Sequence, residues 1–213
     1  MEKLLTDTHY NTWLSLLAVK LDEAFDKIKN RAWTAENFKF ATAVSVMSSS
    51  KIEGETLEVD SYVKHKFLDV EYLPNLTEKP NDLYAAYEFA KDHTLSIENF
   101  HKCHAIATLH LLSEQERGQI RKGNMLIMEQ QSQRVEYEAA SAQLVKKEYE
   151  RFWSELNILV EVDLSIQQVF YYASLIHLVF VKIHPFNDGN GRSARLLEKW
   201  FLCSKLGEKA WYI

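Results

Sequence analysis

The chain has 213 residues, 46% of them apolar, and a formal net charge of −5 with a pI of about 5.9. This length suits one large domain or two small ones, and the apolar content is sufficient for a packed core. The sequence contains no block of basic residues, which argues against a nucleic-acid-binding surface.

The features that bear on compartment favour a cytoplasmic protein. The two cysteines, Cys103 and Cys203, provide no disulfide framework and are expected to be buried thiols. The charged N-terminal segment lacks the apolar core of a signal peptide. The longest apolar run, Leu175 to Ile183, is too short to span a bilayer and contains His177 and Lys182. We therefore expect a soluble protein of the cytoplasm, with no membrane partner.

The first 80 residues show the apolar spacing of helices. This spacing predicts helices at about 13–28, 38–47 and 57–68. The segment 73–80 carries a proline near each end, Pro74 and Pro80, and is the clearest predicted loop. It sets a soft boundary between an N-terminal helical region, 1–80, and a second region, 81–213, and we expect the two regions to pack together.

The second region is also mainly helical. Its apolar spacing predicts helices at about 81–92, 96–112, 140–157 and 165–184. The segment Gly118–Arg121 interrupts this pattern. The apolar runs Met125–Met128 and Val135–Tyr137 then flank a polar hexapeptide, which predicts a β-hairpin. The predicted fold class is therefore mainly α with one small β-hairpin.

A polar loop at His184–Arg195 separates two apolar helices. Pro185 disfavours the helical conformation at His184, so the first helix is predicted to end there. Apolar residues at a largely helical spacing resume at Leu196. Within the loop, Asp188–Gly191 is rich in residues that tolerate positive φ, and successive N–H groups of such a turn can form a nest for an anion. The nest opens onto a helix N-terminus, which also favours negative charge.

Four side chains of this loop suit the transfer of a phosphate-containing group. Arg192 and Arg195 lie on one face of the first helical turn, where they would oppose the helix dipole unless a bound polyphosphate neutralised them. Asp188 is an oxygen ligand of the type that Mg²⁺ shares with phosphates, and His184 is a base that titrates near neutral pH. The alternative is a turn with solvated charges between two core helices, which requires neither His184 nor both arginines.

The loop resembles the signature of the Fic family, His-x-Phe-x-Asp/Glu-Gly-Asn-Gly-Arg-x-x-Arg, and every fixed position is filled here. Most Fic proteins transfer AMP from ATP to a hydroxyl group of a target protein. The resemblance therefore implies a Fic-type helical bundle with a β-hairpin flap, covering roughly residue 81 to the end of the chain. It also implies a protein adenylyltransferase that uses ATP and Mg²⁺.

The resemblance assigns a role to each fixed residue of the signature. His184 would deprotonate the target hydroxyl, Phe186 would anchor the loop in the core, and Asp188 would hold Mg²⁺. The phosphates would be bound by Gly189, Asn190, Gly191, Arg192 and Arg195. Family members that act as kinases differ at the second glycine, so the intact Gly191 favours AMP transfer.

The predicted hairpin resembles the flap of Fic proteins, which follows a Gly-x-x-Arg element, here Gly118–Arg121. In the family, the flap holds the target segment by strand addition. A target protein that presents a Ser, Thr or Tyr hydroxyl is therefore expected to dock near Met125–Tyr137. Relatives often have prolines after the second strand, where this chain has Glu138–Ala140, and a surface hairpin without a partner is the alternative. The sequence also leaves a homo-oligomer open.

The segment Ser49-x-x-x-Glu53-Gly54 resembles the inhibitory motif of Fic proteins, Ser/Thr-x-x-x-Glu-Gly/Asn. Ser49 and Glu53 are four residues apart, on one face of a helix, and Gly54 suits the helix C-cap. In the family this glutamate pairs with the second arginine of the signature, here Arg195, and takes the space of the ATP γ-phosphate. The alternative is a capping box at Ser50–Glu53 that opens the next helix and makes Glu53 purely structural.

Competing functions remain open beside adenylyl transfer. They are transfer of another nucleotide or phospho-group, removal of AMP, and nucleotide binding by a non-catalytic regulator. A metal site at His101 and His104, one helical turn apart, lacks a further cluster of ligands at suitable spacing. We therefore expect these two histidines to be core or surface residues.

Overall fold

The structure is a computed structural model that describes residues 3–32, 34–128 and 134–213. Over these residues the chain is mainly helical with one two-stranded antiparallel sheet, so the predicted fold class is confirmed. In chain order the elements are α1 (Tyr10–Leu16), α2 (Leu21–Lys29), α3 (Ala35–Ile52), α4 (Val59–Leu68), α5 (Pro74–Asp92), α6 (Ile97–Ala107), β1 (Leu126–Met128), β2 (Val135–Glu138), α7 (Val145–Glu161), α8 (Ile166–Ile183), α9 (Asn190–Leu206) and a 3₁₀ helix (Glu208–Tyr212).

Helix α8 packs between α7 and α9. A capping box opens it, in which the side chains of Ser165 and Gln168 each accept a hydrogen bond from the other residue's backbone N–H. In the described ranges, α8 is the one helix long and apolar enough to cross a membrane, so the apolar segment is longer than the run Leu175 to Ile183. A buried core helix has the same length and composition, and Ile176 and Phe180 of α8 are fully buried.

An aromatic cluster between α6, α7 and α8 forms the core beneath the loop. Phe100, Tyr149 and Phe180 are fully buried, and the ring of Phe186 in the loop lies 6.2, 6.0 and 6.1 Å from their ring centres. Phe186 is also fully buried. Truncating such a side chain to alanine typically costs about 3–5 kcal/mol of unfolding free energy. One aromatic side chain therefore fixes the loop to the core.

The predicted helix 13–28 is wrong, because two helices occupy this segment. The backbone is extended at Leu17 and Lys20, which separates α1 from α2. Both helices contact α8. The apolar spacing continues across the break and does not reveal it, although α1 contains no buried residue.

The predicted loop 73–80 is also wrong, because α5 begins at Pro74. Proline is tolerated at the first helical position, where its missing N–H would have no helical partner in any case. Pro80 lies inside the helix, where it removes one backbone hydrogen bond, and its ring is buried. The soft boundary thus falls within a helix, and the division into regions 1–80 and 81–213 stays a prediction.

Other helix boundaries differ from the predicted ones by several residues. Helix α3 is longer than 38–47, since a capping box of Thr34 and Asn37 opens it and it continues to Ile52. Helix α6 ends before its predicted end, near Thr108, whose hydroxyl donates back to the carbonyl of His104 at 2.7 Å. Helix α7 begins at residue 145 rather than 140.

Strands β1 and β2 form the predicted hairpin. Ile127 pairs with Tyr137, and the register shifts between Ile127 and Met128. The Ala139 N–H extends the pairing by donating to the Met125 carbonyl at 3.1 Å. Most of the polar hexapeptide that connects the strands, residues 129–133, lies outside the described residues.

Candidate active site

The loop between α8 and α9 has a backbone that its own side chains fix. His184 follows α8 in the left-handed conformation, with φ 52° and ψ 61°. The buried side chain of Asn190 accepts from the Phe186 N–H at 3.0 Å and donates to the Phe186 carbonyl at 2.8 Å. These two bonds join the first residue of α9 to the backbone of Phe186, whose ring is anchored in the core.

Gly189 stands at the start of α9, where only glycine fits. Its φ is 74°, and a Cβ there would lie 2.6 Å from Cγ2 of Thr108. The Gly189 N–H donates to Oδ1 of Asp188 at 2.6 Å. The first N–H groups of α9 have no acceptor within the helix, so together with the dipole they favour an anion at this point.

His184 has one ring nitrogen bonded to the backbone. Its Nδ1 lies 3.2 Å from the Val181 carbonyl, which can only accept, so the neutral ring carries its proton on Nδ1 and a lone pair on Nε2. Burial is the main cause that lowers the pKa of His184, and nearby Arg121 adds to it. The Val181 carbonyl, Asp188 and Glu53 act in the opposite direction on this pKa. A neutral imidazole of this kind can accept a proton at neutral pH.

The end of α3 meets the first turn of α9. Arg195 donates through Nε to Ser49 Oγ at 2.7 Å and through Nη2 to the Ser49 carbonyl at 3.2 Å. Nη2 of Arg195 also donates to Oε1 of Glu53, 142 residues away in sequence. The side chains of Arg195 and Glu53 are 20% and 30% exposed. The structure therefore brings together the two segments that the sequence singled out.

Glu53 is the C-cap residue of α3, and Gly54 follows it with φ 91°. The alternative capping box is wrong, because Ser50 lies inside α3 and the next helix begins only at Val59 with Glu58 as its N-cap. A carboxylate at a helix C-terminus opposes the helix dipole by about 0.3–1 kcal/mol. Helix stability thus does not explain why a glutamate stands at position 53. The positive charge of Arg195 offsets its negative charge.

Glu53 also lies against the backbone of Gly191. A Cβ on Gly191 would be 2.3 Å from Glu53 Oε1 and 3.3 Å from Arg195 Nη1. The carboxylate therefore occupies space beside the first turn of α9, where the predicted nest would hold an anion. A second anion in this space would be opposed both by the negative charge and by the atoms of Glu53.

The first arginine of the loop has a carboxylate partner that the sequence did not indicate. Arg192 is 4% exposed, and its Nη2 lies 3.4 Å from Oε1 of Glu55. The same Glu55 oxygen accepts from Nζ of Lys79 on α5 at 2.9 Å. The buried Nε of Arg192 has no hydrogen-bond partner in the described part of the chain. A sequence feature that could have indicated this partner is the position of Glu55, two residues after Glu53.

A sequence model of the Fic/DOC family matches residues 94–202, which is more than half of the chain and includes the whole loop. The chain belongs to the Fic/DOC family. No protein of curated function matches the sequence.

Solved structures of Fic proteins share this fold. A Fic family protein from Desulfovibrio desulfuricans gives a TM-score of 0.70 at 19% identity, with 99% of this chain and 61% of that chain covered. Fic-1 from C. elegans gives 0.63 at 20% identity, with 86% and 55% covered. A Fic domain containing signalling protein from Bacteroides thetaiotaomicron gives 0.65 at 19% identity, with 96% and 74% covered. These identities show likeness of fold, and the chain spans less than two thirds of the first two proteins.

In this Fic/DOC protein, His104 supports the loop from below. Its Nδ1 accepts from the Gly118 N–H at 2.9 Å, and its Nε2 donates to the Asp188 carbonyl at 3.0 Å. The ring stacks on Phe186, with ring centres 3.7 Å apart. Burial lowers the pKa of His104 to about 4, so the ring is neutral near neutral pH. Because both nitrogens are bonded, His104 is a structural residue, and spacing alone did not indicate its contact with the loop.

Arg121, the arginine of the Gly-x-x-Arg element, links the Fic/DOC loop to the hairpin. Its guanidinium donates to the carbonyls of His184 at 2.6 Å and Ile183 at 3.3 Å. It also donates to the Ala140 carbonyl beyond β2, and the Arg121 N–H donates to the Pro185 carbonyl at 2.9 Å. These bonds satisfy carbonyls at the end of α8, whose negative dipole end favours a buried positive charge.

Asp188 fits the Mg²⁺ role that the Fic signature implies. Its carboxylate is exposed at the start of α9. No group of three or more His, Cys, Asp and Glu side chains that could hold a metal ion occurs within the three described ranges. A cation at Asp188 would therefore take its other oxygen ligands from a bound phosphate and water, as Mg²⁺ commonly does.

Proposed function

We propose that this Fic/DOC protein transfers AMP from ATP to a Ser, Thr or Tyr hydroxyl of a target protein, and that Glu53 inhibits the transfer. One observation carries the proposal. A neutral histidine, an exposed carboxylate, a helix N-terminus and two arginines converge in a single loop that is anchored in the core. Family membership agrees with it, because Fic proteins are generally nucleotidyl- or phosphotransferases.

In the proposed reaction, the target hydroxyl oxygen forms a bond to the α-phosphorus of ATP while Nε2 of His184 accepts its proton. The bond between that phosphorus and the oxygen of the β-phosphate breaks, and pyrophosphate leaves. The N–H groups at the start of α9, with Arg192 and Arg195, would bind the phosphates and stabilise the charge that develops on them. Mg²⁺ held by Asp188 would supply further positive charge.

Glu53 would oppose this reaction in two ways. It engages Arg195, which would otherwise be available to the outer phosphate. It also places a carboxylate beside Gly191, where a phosphate would approach the N–H groups of α9. Ser49 strengthens the first effect, because it accepts two further hydrogen bonds from Arg195. ATP would therefore bind productively only after Arg195 is released from α3.

The target segment is proposed to dock on the hairpin of β1 and β2. Within the described ranges each of these strands pairs only with the other, so each has one edge without a partner strand. Such an edge can accept an extended segment through main-chain hydrogen bonds. The hairpin lies next to His184, because Arg121 bonds both to the end of α8 and to Ala140, two residues after β2.

Covalent labelling tests the proposal. The Glu53→Gly variant is incubated with a target-containing lysate and ATP labelled on either the α- or the γ-phosphate, with the double variant that also carries His184→Ala as the control. We expect α-label on protein that depends on His184. Label from the γ-phosphate alone would favour phosphoryl transfer, and reversible binding without covalent label would favour a regulator. Either result would refute AMP transfer. Loss of α-label from protein that has already been modified would instead show that the protein also removes AMP.

A further inference from the structure

The Val181 carbonyl lies in the last turn of α8 and has no helical donor. In a continuing helix it would accept from the N–H of residue 185. Residue 185 is proline, which has no N–H, and α8 ends at Ile183. The sequence thus leaves an acceptor directly beside the ring of His184.

Two side chains from different elements reach this carbonyl. Nδ1 of His184 lies 3.2 Å from the Val181 oxygen, and Oη of Tyr137 on β2 donates to the same oxygen at 3.1 Å. Oη of Tyr137 also lies 3.4 Å from Nδ1 of His184. A carbonyl oxygen has two lone pairs, so it can accept both bonds at once.

The Val181 carbonyl fixes the tautomer of His184, and the Tyr137 hydroxyl agrees with it. Because Tyr137 gives its only hydroxyl proton to Val181, it can offer Nδ1 of His184 only a lone pair. Both groups that face Nδ1 are therefore acceptors, and the proton of the neutral imidazole is held on Nδ1. The lone pair is then on Nε2, the nitrogen that the transfer reaction requires.

We propose that Tyr137 is a positioning residue, which confines the His184 ring to the orientation in which Nε2 can accept a proton. Its effect on the reaction rests on the proposed function, whereas its effect on the ring orientation does not. Tyr137 belongs to the hairpin, so the hairpin must be seated on α8 for the base to be correctly held. The charged groups that act on the ring are Arg121, Asp188 and Glu53, and none of them replaces the contact at Nδ1.

The test uses Tyr137→Phe, which removes one hydroxyl and keeps the ring. The matched control is Tyr171→Phe, since Oη of Tyr171 on α8 donates to the Thr6 carbonyl at 2.9 Å, away from the loop. NMR relaxation of the ring carbons measures the mobility of each of the eight histidine rings, and the signals missing in His184→Ala identify His184. We expect the order parameter of the His184 ring to fall in Tyr137→Phe and to stay unchanged in Tyr171→Phe.

A kinetic measurement in the Glu53→Gly background gives the second readout. We expect Tyr137→Phe to lower kcat by about 2- to 10-fold, the factor that corresponds to one neutral hydrogen bond, with the KM for ATP unchanged. An unchanged order parameter of the His184 ring in Tyr137→Phe, or an equal change in Tyr171→Phe, would overturn the proposal. If no variant transfers AMP, the proposed function fails, and the NMR result alone still decides the role of Tyr137.

Discussion

The proposed inhibition predicts that replacing Glu53 with glycine activates AMP transfer. The substitution removes the carboxylate that binds Arg195 and lies against Gly191. The backbone at this position has φ −87° and ψ 9°, which glycine adopts without strain. The helix loses a negative charge at its C-terminus, where that charge opposes the dipole. We therefore expect little change in the melting temperature.

The magnitude follows from the bond that ATP must displace. A hydrogen bond between charged groups contributes about 1.5–3 kcal/mol, and a factor of ten in affinity corresponds to about 1.4 kcal/mol. Release of Arg195 from Glu53 should therefore tighten ATP binding by about 10- to 100-fold. The N–H groups beside Gly191 also become accessible to the phosphates, so we expect covalent labelling to rise with affinity.

Calorimetric titration of ATP and auto-modification with α-labelled ATP measure the two effects. The matched control is Glu58→Gly, because Glu58 lies in the same connecting segment but pairs with Lys51 at an exposed site. Glu53→Gln, which keeps the size and removes the charge, should behave like Glu53→Gly in direction. Equal ATP affinity and equal labelling in wild type and Glu53→Gly would refute the reasoning, and so would the same increase in Glu58→Gly.

Four further outcomes are expected. His184→Ala should lower transfer by about 10²–10⁴-fold while ATP affinity in calorimetry is retained, and a parallel loss of binding would make His184 a binding residue. Asp188→Ala should abolish the Mg²⁺ dependence of ATP affinity, which equal wild-type affinities with and without Mg²⁺ would contradict. Because burial lowers the His184 pKa, the rate of Glu53→Gly should fall to half its maximum only at a pH below about 6.5, the usual histidine pKa, so a half-maximal rate at or above that pH would count against this base. Glu55→Gln in the Glu53→Gly background should further tighten ATP binding by freeing Arg192, whereas weaker binding in calorimetry would mean that Glu55 orients Arg192 for the phosphates.

Residues that are adjacent in sequence were the predictable part of the site. Pro185 and the glycines set the end of α8 and the start of α9 through local backbone rules, and the signature placed His184 beside them. The pair of Glu53 with Arg195 could be expected because a resemblance to the inhibitory motif connected two distant segments. No such pattern connects Glu55 with Arg192 across 137 residues, and the same holds for the other contacts around the loop.

Tertiary packing explains the parts of the fold that the sequence did not predict. Pro80 normally indicates a break, yet α5 continues through it with the ring buried. Extended residues at Leu17 and Lys20 break the predicted first helix without glycine or proline, and both of the resulting helices contact α8. His104 contacts Asp188 because α6 passes beneath the loop, and spacing within one helix carries no information about such a crossing.

If Glu53 inhibits the protein as proposed, its close approach to Gly191 restricts which mutations can relieve the inhibition. A side chain at Gly191 would displace the carboxylate, but it would also fill the space that a phosphate needs. Replacing Arg195 would abolish the pair together with a proposed phosphate ligand. Changes at the end of α3, at Glu53 or Ser49, would weaken the proposed inhibition and leave the loop intact. Under the proposed function, natural selection could therefore adjust the basal activity through α3 without altering the residues of α9.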